Sequence, residues 1–538
     1  MGRGQTRTNT DIVYCLLFTA YCLLILVGCG ARGEETAVIP TIVPTSQTVP
    51  TPMPLPTATA TTQPTATSTL PPTVIPTITP IPTATNLPPI TLAVPEEWVE
   101  LVQTAVSQHP TQRGWQITSA NDGADVRLVN NDSGILLWQE PLALAVPFTA
   151  PLEEVDLAAA QEIIANGHVD ITVRLWREMV PELRALRVNG RFPPDPDYPL
   201  QASWSLLAPP ELADETARLA DLLRAEWQPE PLVWLTAVGD IMLDRSLGYH
   251  LTLGNLAYPF ADIVDELNQA DYTVGNMESA LGSVGQPASK SYTFRAPPSA
   301  AEALALAGFD LLTLANNHGM DFGPEALGQG LDLLHQQGLA TVGAGHDLAA
   351  ARQPHLVTVN GLRLAFLGYV NVPVESKGFD TATWTATDTA SGLAWGYPEW
   401  VAADVTAVRP QADVVIVLLH SGYEYQENPS PPQMAAAKAA IDAGADLVIG
   451  HHAHILQGIE FYNGGVIAYG LGNFAFEIDG PPETAVFHFW LSKTGVCQLA
   501  FTPAVIQFGG QPRLATAPEA FLIRQQIYRL TDRLAAQQ

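Results

Sequence analysis

Residues 412–454 read ADVVIVLLHSGYEYQENPSPPQMAAAKAAIDAGADLVIGHHAH. Two apolar runs of strand length, 412–420 and 445–454, flank a segment that begins with two prolines and continues with alanines, which is typical of a helix. Both runs are apolar almost throughout, and both end in histidine. Nearly continuous apolar strands on either side of a helix indicate a sheet that is buried on both faces.

The same pattern extends outward in both directions along the chain. Upstream, the apolar runs LVWLTAVGD (232–240), DYTVGNME (271–278) and FDLLTLANNH (309–318) are separated by helix-like segments. The stretch 355–370 predicts a hairpin, because Asn360-Gly361 suits a tight two-residue turn. Downstream, strand-like runs alone continue to about residue 515. We therefore predict an α/β domain over 232–515 and a closing C-terminal helix within 516–538.

A smaller α/β domain is predicted over residues 96–228, before the proline-marked boundary QPEPLV (228–233). Its strand and helix pattern resembles one lobe of a periplasmic solute-binding protein, and the alternative is a spacer that packs beside the larger domain. Its tryptophans either line a ligand pocket or contribute to packing: Trp98, Trp115, Trp138, Trp176, Trp204 and Trp227.

The N-terminal residues predict export and a lipid anchor. A short basic head precedes an apolar run from Ile12 to Val27, as in a secretory signal, and the following Gly28-Cys29 resembles a bacterial lipobox. Residues 1–29 are therefore predicted to be a lipoprotein signal peptide, with Cys29 lipidated and holding the chain on the outer face of the cell membrane. The alternative is an uncleaved transmembrane anchor. Residues 30–95, rich in proline and threonine, predict a disordered stalk.

Composition excludes several other classes of protein. The 538 residues carry 25 Lys+Arg against 54 Asp+Glu, a formal charge of −29, so nucleic acid is not an expected partner. With 47% hydrophobic residues the chain has ample material for a core. Its 4 cysteines include three in the signal region, which argues against a disulfide framework or a cysteine zinc cluster.

Polar side chains that can bind metal end five of the apolar runs. Because ligands bind beyond the carboxyl ends of strands in open α/β sheets, we expect these side chains to converge. They are Asp240; Asn276 and Glu278; Asn316, Asn317 and His318; His420; and His451, His452 and His454. Imidazole, carboxylate and carboxamide ligands suit Mn²⁺, Fe²⁺ or Zn²⁺ better than calcium, and their number suffices for two ions. Two such ions can clamp a phosphoryl group, while His318 can protonate the departing alcohol.

The motifs GDIMLDR, NMES, LANNHGMDFG, HSGYEY and DLVIGHHAHILQGIEFYNGGVIAYGLGNFAF together resemble the CapA family of capsule and poly-gamma-glutamate synthesis proteins, over roughly residues 232–480. That family is similar to the calcineurin-like metallophosphoesterases. The resemblance implies a double β-sandwich flanked by helices, with a two-metal site. It also implies a surface protein that works with a capsule-synthesis machinery on an acidic polymer or a phosphoester.

Position by position, the resemblance assigns roles to seven residues. It implies that Asp240 binds the first metal and that Glu278 stands where the phosphoesterases place a bridging aspartate. His318 matches the acid histidine, and the remaining matches are metal ligands: Asn317, His420, His452 and His454. Phosphoesterases usually carry Asp-x-His at the first strand, but this chain has Asp240-Ile241-Met242. Efficient hydrolysis therefore remains open, and a non-catalytic, polymer-binding scaffold of an export machinery is the alternative.

Several neighbouring residues have two interpretations each. Asp321 either orients His318 or caps the helix that begins near Pro324, and Asp244 either compensates for the missing histidine or starts a helix. Arg245 and Glu424 are candidates for substrate contact, with a surface ion pair as the alternative. Asn316 is a candidate for substrate contact or the outer shell. His451 is expected in the outer shell rather than as a ligand, since adjacent side chains on a strand point to opposite faces.

Overall fold

The computed structural model describes residues 87–108, 113–119, 123–372, 374–375, 378–477 and 480–537. The predicted signal peptide, Cys29 and nearly all of the predicted stalk lie outside these ranges. Among the helices that the structure describes, none combines the length and apolarity needed to span a membrane.

Two large sheets form the centre of the fold. In the eight-stranded sheet the order is Ala340–Val342, Leu311–Thr313, Tyr272–Met277, Val233–Met242, Glu483–Ser492, Gly495–Ile506 and Pro512–Leu514, with Asn473–Phe476 also paired to Val233–Met242. In the six-stranded sheet the order is His355–Val359, Leu362–Asn371, Val414–Ser421, Leu447–His451, Gly465–Ala468 and Ile459–Tyr462. Short strand pairs lie outside these sheets: Ala280–Leu281 with Arg295–Ala296, Ala344–Gly345 with Gly392–Leu393, and Glu154–Val155 with Arg187–Val188.

The two sheets pack face to face across an apolar core. Leu235 and Phe489 of the eight-stranded sheet share one buried cluster with Phe366 and Ile416 of the six-stranded sheet. On the outer faces, separate buried clusters attach helices to each sheet. The expected double β-sandwich between helical layers is therefore confirmed.

Helices connect the strands and cover the outer faces. The α-helices are Val99–Gln108, Leu157–Asn166, Ala213–Glu226, Arg245–Thr252, Val264–Leu267, Ser299–Leu306, Gly323–Gln336, Leu348–Ala351, Pro398–Val408, Pro431–Asp442 and Ala517–Ala535. Single turns of 3₁₀-helix occur at Glu96–Trp98, Trp176–Glu178, Pro210–Leu212, Tyr258–Phe260, Thr381–Trp384 and Arg409–Gln411.

The stretch 412–454 folds as its pattern predicts. Val414–Ser421 and Leu447–His451 pair in parallel, with His420 opposite His451, and Pro431–Asp442 is the helix between them. Ser430 caps this helix by accepting a hydrogen bond from the Gln433 N–H. In the predicted hairpin, Asn360 and Gly361 adopt φ of 49° and 85°, as a tight turn of this kind requires. The closing helix is also present, as Ala517–Ala535.

A seven-stranded sheet precedes the sandwich, in the order Trp115–Thr118, Ile90–Ala93, Val126–Asn130, Gln201–Leu207, Ile135–Pro147 and Thr172–Leu175, with Leu183–Ala185 paired to Ile135–Pro147. Ile90–Ala93 lies inside the segment predicted as stalk, so the stalk prediction is wrong at this end. The reason is that Ile90 and Leu92 are apolar and fully buried, a signal that the surrounding prolines obscured. The other predicted domain boundaries remain predictions.

This sheet is attached to the sandwich by aromatic side chains. Phe148, which follows Ile135–Pro147, inserts into the core between the two central sheets, with its ring 5.6 Å from that of Tyr528 and 5.7 Å from that of Phe461. Trp176 meets Trp490 edge to face at 6.0 Å. The seven-stranded sheet therefore shares a continuous apolar contact with the sandwich.

Candidate metal centre

The strand ends of both central sheets bring the predicted side chains together. Asp240 lies near the end of Val233–Met242, Glu278 follows Tyr272–Met277 directly, and His420 lies near the end of Val414–Ser421. His452 and His454 follow Leu447–His451. Two sets of ligand atoms each lie within 4.8 Å of one another: Glu278, His420 and His452; and Asp240, Glu278 and His454.

Glu278 is the residue common to both sets. Its side chain is fully buried, and neither carboxylate oxygen has a hydrogen-bond partner among the described residues. Oε1 lies 3.6 Å from His420 Nε2 and 3.7 Å from His454 Nε2. A buried carboxylate without a donor is costly, so this position suits a cation.

Asp240 forms the second half of the cluster. Its Oδ1 accepts a hydrogen bond from Asn276 Nδ2 at 2.8 Å, and its Oδ2 lies 3.3 Å from His454 Nδ1. The backbone N–H of His452 also donates to Oδ2, at 3.2 Å. Asp240 is therefore held in place by groups from both sheets.

His420 and Asn317 meet on the other side of Glu278. His420 Nε2 lies 2.7 Å from Asn317 Oδ1, and His420 Nδ1 lies 3.0 Å from Asn276 Nδ2. Nε2 thus faces two oxygen-bearing side chains, Asn317 and Glu278, which can share a cation with it.

Burial and mutual proximity shift the pKa values of the clustered side chains. Burial, together with the nearby Asp240, holds the pKa of Glu278 well above its usual range. Burial opposes the charged form of His454, but Glu278 and Asp240 outweigh this effect and raise its pKa to about 10. Burial and the neighbouring histidines lower the pKa of His452 to about 3 and that of His420 well below its usual value. A bound cation would offset the buried negative charge that causes the shifts of Glu278 and His454.

These residues fit divalent cations. Two buried carboxylates, three imidazoles and a carboxamide oxygen converge, and no cysteine takes part among the residues that the structure describes. This donor set suits Mn²⁺, Fe²⁺ or Zn²⁺. Two carboxamides outside the ligand sets orient the ligands. Asn276 Nδ2 donates a hydrogen bond to Asp240. Asn473 Oδ1 lies 2.8 Å from His454 Nδ1.

The backbone near the ligands is specialised for close packing. His452 and His454 adopt φ of 88° and 56°, a left-handed conformation that is uncommon outside glycine and tends to occur at functional sites. Gly239 lies against Gly472, whose carbonyl oxygen would be 1.9 Å from a Cβ at position 239. This close approach lets the Asp240 N–H donate to the same Gly472 oxygen at 2.9 Å.

His318 lies at the rim of the cluster in a buried polar network. Its Nδ1 lies 2.6 Å from Asp321 Oδ2, while the helix Gly323–Gln336 has no side-chain cap. The geometry thus matches the orienting interpretation of Asp321. Burial lowers the pKa of His318, against the opposing effect of Asp321. Among the described residues, no group hydrogen-bonds the His318 Nε2.

Lys290 completes this network, which we name the Lys290 network: Lys290, Asp321, His318, Glu375 and Asn317. The Lys290 side chain is fully buried, and its Nζ lies 2.8 Å from Asp321 Oδ1 and 2.6 Å from Glu375 Oε1. It also donates to the Asn317 carbonyl at 2.5 Å, and Asn317 Nδ2 donates to Glu375 Oε1 at 3.2 Å. One ammonium thus joins the predicted acid histidine to a predicted metal ligand.

Sequence reasoning did not identify Lys290 or Glu375, because both lie in loops without a periodic pattern. It also named no role for Asn473, which ends the GLGN motif and contacts His454, and gave Asn276 none beyond its place in the strand-end series. Asn276 bonds Asp240, and its Oδ1 accepts from Asn316 Nδ2 at 2.9 Å. The position of Asn473 directly after Gly472, at the start of the strand Asn473–Phe476, was the available signal.

The predicted outer residues take different positions. Asp244 caps the helix Arg245–Thr252: its two carboxylate oxygens accept from the backbone N–H groups of Arg245 and Arg295, at 2.8 and 2.9 Å. The structure therefore matches the helix-start interpretation of Asp244 and shows no contact between it and the ligand cluster.

The remaining outer residues surround the cluster. Arg245 is exposed, donates to the Glu477 carbonyl at 2.7 Å and lies over the Phe294 ring, which packs 4.4 Å from His318. Exposed Glu424 is close enough to raise the pKa of both Glu278 and His454. His451 is buried, with Nε2 3.2 Å from the Val238 carbonyl, outside both ligand sets.

Comparisons with known proteins agree with the sequence motifs. The profile of the family described as "Bacterial capsule synthesis protein PGA_cap" matches residues 234–478. The "Capsule biosynthesis protein CapA" of Bacillus anthracis is 31% identical over 309 residues, covering 56% of this chain and 74% of that protein. The "PGA biosynthesis protein CapA" of Bacillus subtilis (strain 168) is 32% identical over 271 residues, covering 49% of this chain and 70% of that protein.

Among solved structures, "a novel phosphatase" from Mycoplasma pneumoniae aligns with a TM-score of 0.34 and 12% identity, over 52% of this chain and 95% of that chain. The two Bacillus proteins, together with the family profile, confirm the resemblance that the motifs indicated. The chain belongs to the bacterial capsule synthesis protein family PGA_cap.

Proposed function

We propose that this protein is a metal-dependent, phosphoesterase-like member of its family, acting outside the cell in the synthesis, export or anchoring of capsule or poly-gamma-glutamate. The names of the two Bacillus relatives support the role in polymer synthesis. The buried cluster of carboxylates and imidazoles supports the hydrolytic site. The substrate class is a phosphoester or an acidic polymer.

One observation carries the proposal of a metal site. Glu278 is fully buried, has no hydrogen-bond donor among the described residues, and lies between His420 and His454. The number of ligands suffices for two divalent cations. When bound there, they would polarise a phosphoryl oxygen as Lewis acids. The chain's own contribution is to fix the ligands from both sheets and to bury them away from water.

His318 is proposed to move the proton. Its Nδ1 is held by Asp321, so Nε2 is the nitrogen that can meet a leaving oxygen. Burial lowers the pKa of the ring, whereas a neighbouring phosphate anion favours the protonated form. A bound substrate anion would thus favour protonated His318, which can then donate its proton to the departing alcohol.

A turnover assay tests this function. Purified protein supplied with Mn²⁺ should hydrolyse generic phosphodiesters or phosphomonoesters, and His318→Ala should lower kcat by about 10²- to 10⁴-fold, the usual contribution of a general acid. His335→Ala, an exposed histidine on the helix Gly323–Gln336, is the matched control and should keep full activity. Equal rates for wild type and His318→Ala would reject the catalytic role.

The alternative function is a non-catalytic scaffold that binds the polymer, and Met242 favours it. At this position a phosphoesterase usually has a histidine, whereas the Met242 side chain is buried against Phe294 and Phe476. The first metal position therefore has one strong ligand fewer. A scaffold would bind metal and polymer but show no hydrolysis above the His318→Ala background in the same assay.

We also propose that Cys29 is lipidated and anchors the protein to the outer face of the cell membrane. The support is the apolar run that ends in Gly28-Cys29. Mass spectrometry of the protein extracted from membranes should find a chain that begins at Cys29 and carries a diacylglycerol on that residue. A chain that still carries residues 1–28 and no lipid would favour the uncleaved transmembrane anchor instead.

A further inference from the structure

A cavity lies outside the metal centre. Its volume is about 560 Å³, and it opens between the seven-stranded sheet and the hairpin of Glu483–Ser492 and Gly495–Ile506. Three indole rings line it, those of Trp98, Trp176 and Trp227. A cavity of this size suits a small-molecule ligand. It shares no residue with the metal centre.

Neighbouring rings hold two of these indoles in fixed orientations. Trp227 stacks on Trp138 with ring centres 5.3 Å apart, and Trp98 meets Trp138 and Trp204 edge to face at 4.9 and 5.2 Å. The aromatic wall is thus built by packing within the seven-stranded sheet and its helices. A preorganised wall lowers the cost of ordering side chains when a ligand binds.

The charged groups that line the cavity leave an excess of negative charge. They are Glu140, Arg177, Glu226 and Glu230. The Arg177 guanidinium lies over the Trp98 ring at 4.8 Å and bonds the carboxylate of buried Glu140 at 2.7 Å. This ion pair offsets the positive charge of Arg177. Among the described residues, no cation pairs with Glu226 or Glu230.

We propose that this cavity binds a small organic cation of the ammonium class. Aromatic faces attract ammonium groups, most strongly the faces of tryptophan, and the two carboxylates without a cationic partner add a negative charge that favours a cation over a neutral or anionic ligand. The carboxylates also disfavour the acidic polymer at this place. The cavity is thus a binding site independent of the proposed phosphoesterase function.

Calorimetric titration of the full-length protein with choline, tetramethylammonium and putrescine tests the proposal. The matched comparison is 3,3-dimethylbutan-1-ol, a neutral molecule with the shape of choline. We expect at least one of the cations to bind, and the alcohol to bind about tenfold more weakly than choline or not at all. Absence of binding by all three cations, equal affinity for choline and the alcohol, or preferential binding of glutamate would each overturn the proposal.

Two variants assign the binding to this cavity. Glu226→Gln keeps the shape of the side chain and should weaken cation binding about tenfold, and Trp227→Leu should weaken it further. The control is Glu215→Gln, because Glu215 lies on the same helix, Ala213–Glu226, but does not line the cavity. This variant should leave the cation affinity unchanged. Unchanged cation affinity in both Glu226→Gln and Trp227→Leu would show that the cation binds elsewhere and would overturn the assignment.

Discussion

At the scale of single residues, the centre is built on groups that are costly to bury. The side chains of Glu278, Asp240 and Lys290 are all fully buried, and among the described residues the Glu278 oxygens alone of the three have no hydrogen-bond or close ion-pair partner. Lys290 offsets two carboxylates at once, those of Asp321 and Glu375. Burial of this kind is maintained in proteins chiefly where function needs it.

The Lys290 network gives a prediction for stability. Lys290→Met keeps most of the side-chain volume but leaves Asp321 and Glu375 without their ammonium, so the free energy of unfolding should fall by about 3 to 5 kcal/mol. Urea denaturation of the purified variant measures this change. Lys493→Met, at an exposed position, is the control and should have little effect. A fall equal to that of the control would show that the buried pairs are not formed in solution.

At the scale of elements, the C-terminal helix Ala517–Ala535 is tied to a loop beside the centre. Arg529 and Arg533 both bond Glu427, at 2.7 and 2.9 Å, in the loop that also carries Glu424. The hydrogen bonds from Arg529 and Arg533 lower the pKa of Glu427 to about 2, from 4.5. Because the pKa is lower in the folded state, the stabilisation is present above pH 4.5 and is lost as the pH falls toward 2.

Glu427→Gln tests this contact. At pH 7 the variant should be less stable than wild type by at most about 1 kcal/mol, since the pair is partly exposed to solvent. The difference should shrink as the pH falls below 4.5, which denaturation curves across the acid range will show. A difference that stays constant through that range would mean that the ion pair does not contribute.

The same scale shows what sequence can and cannot predict. The ends of the central strands could be predicted from the sequence. Each strand is an apolar run buried on both faces, and it ends where the first metal-binding polar side chain occurs, as at His420. The strand Ile135–Pro147 contains Pro141, which interrupts the apolar pattern and would suggest two separate strands. The strand in fact continues and changes partner there, pairing with Gln201–Leu207 up to Pro141 and with Thr172–Leu175 from Leu142. Lys290 and Glu375 were missed because only the tertiary fold brings their loops together.

At the scale of the whole molecule, the seven-stranded sheet and the sandwich share a core. Phe148 is 2% exposed and packs among side chains of both central sheets and the C-terminal helix. The Tyr528 hydroxyl of that helix donates to Glu153 at 2.8 Å, beside the same contact. We therefore expect the two parts to stabilise each other.

Phe148→Ala tests this coupling. The loss of a fully packed ring should lower the free energy of unfolding by about 3 to 5 kcal/mol. Val169→Ala, at a position 93% exposed, is the control and should leave stability nearly unchanged. If thermal and urea denaturation showed the same small effect for both variants, the shared core would not exist in solution.

The metal content of the purified protein tests the central claim most directly. Elemental analysis after dialysis against Mn²⁺, Fe²⁺ or Zn²⁺ should find at least one ion per wild-type chain. Asp240→Ala and His454→Ala should each lose metal, whereas His488→Ala, a buried histidine outside the centre, should keep it. Metal content equal to wild type in both Asp240→Ala and His454→Ala would contradict the account.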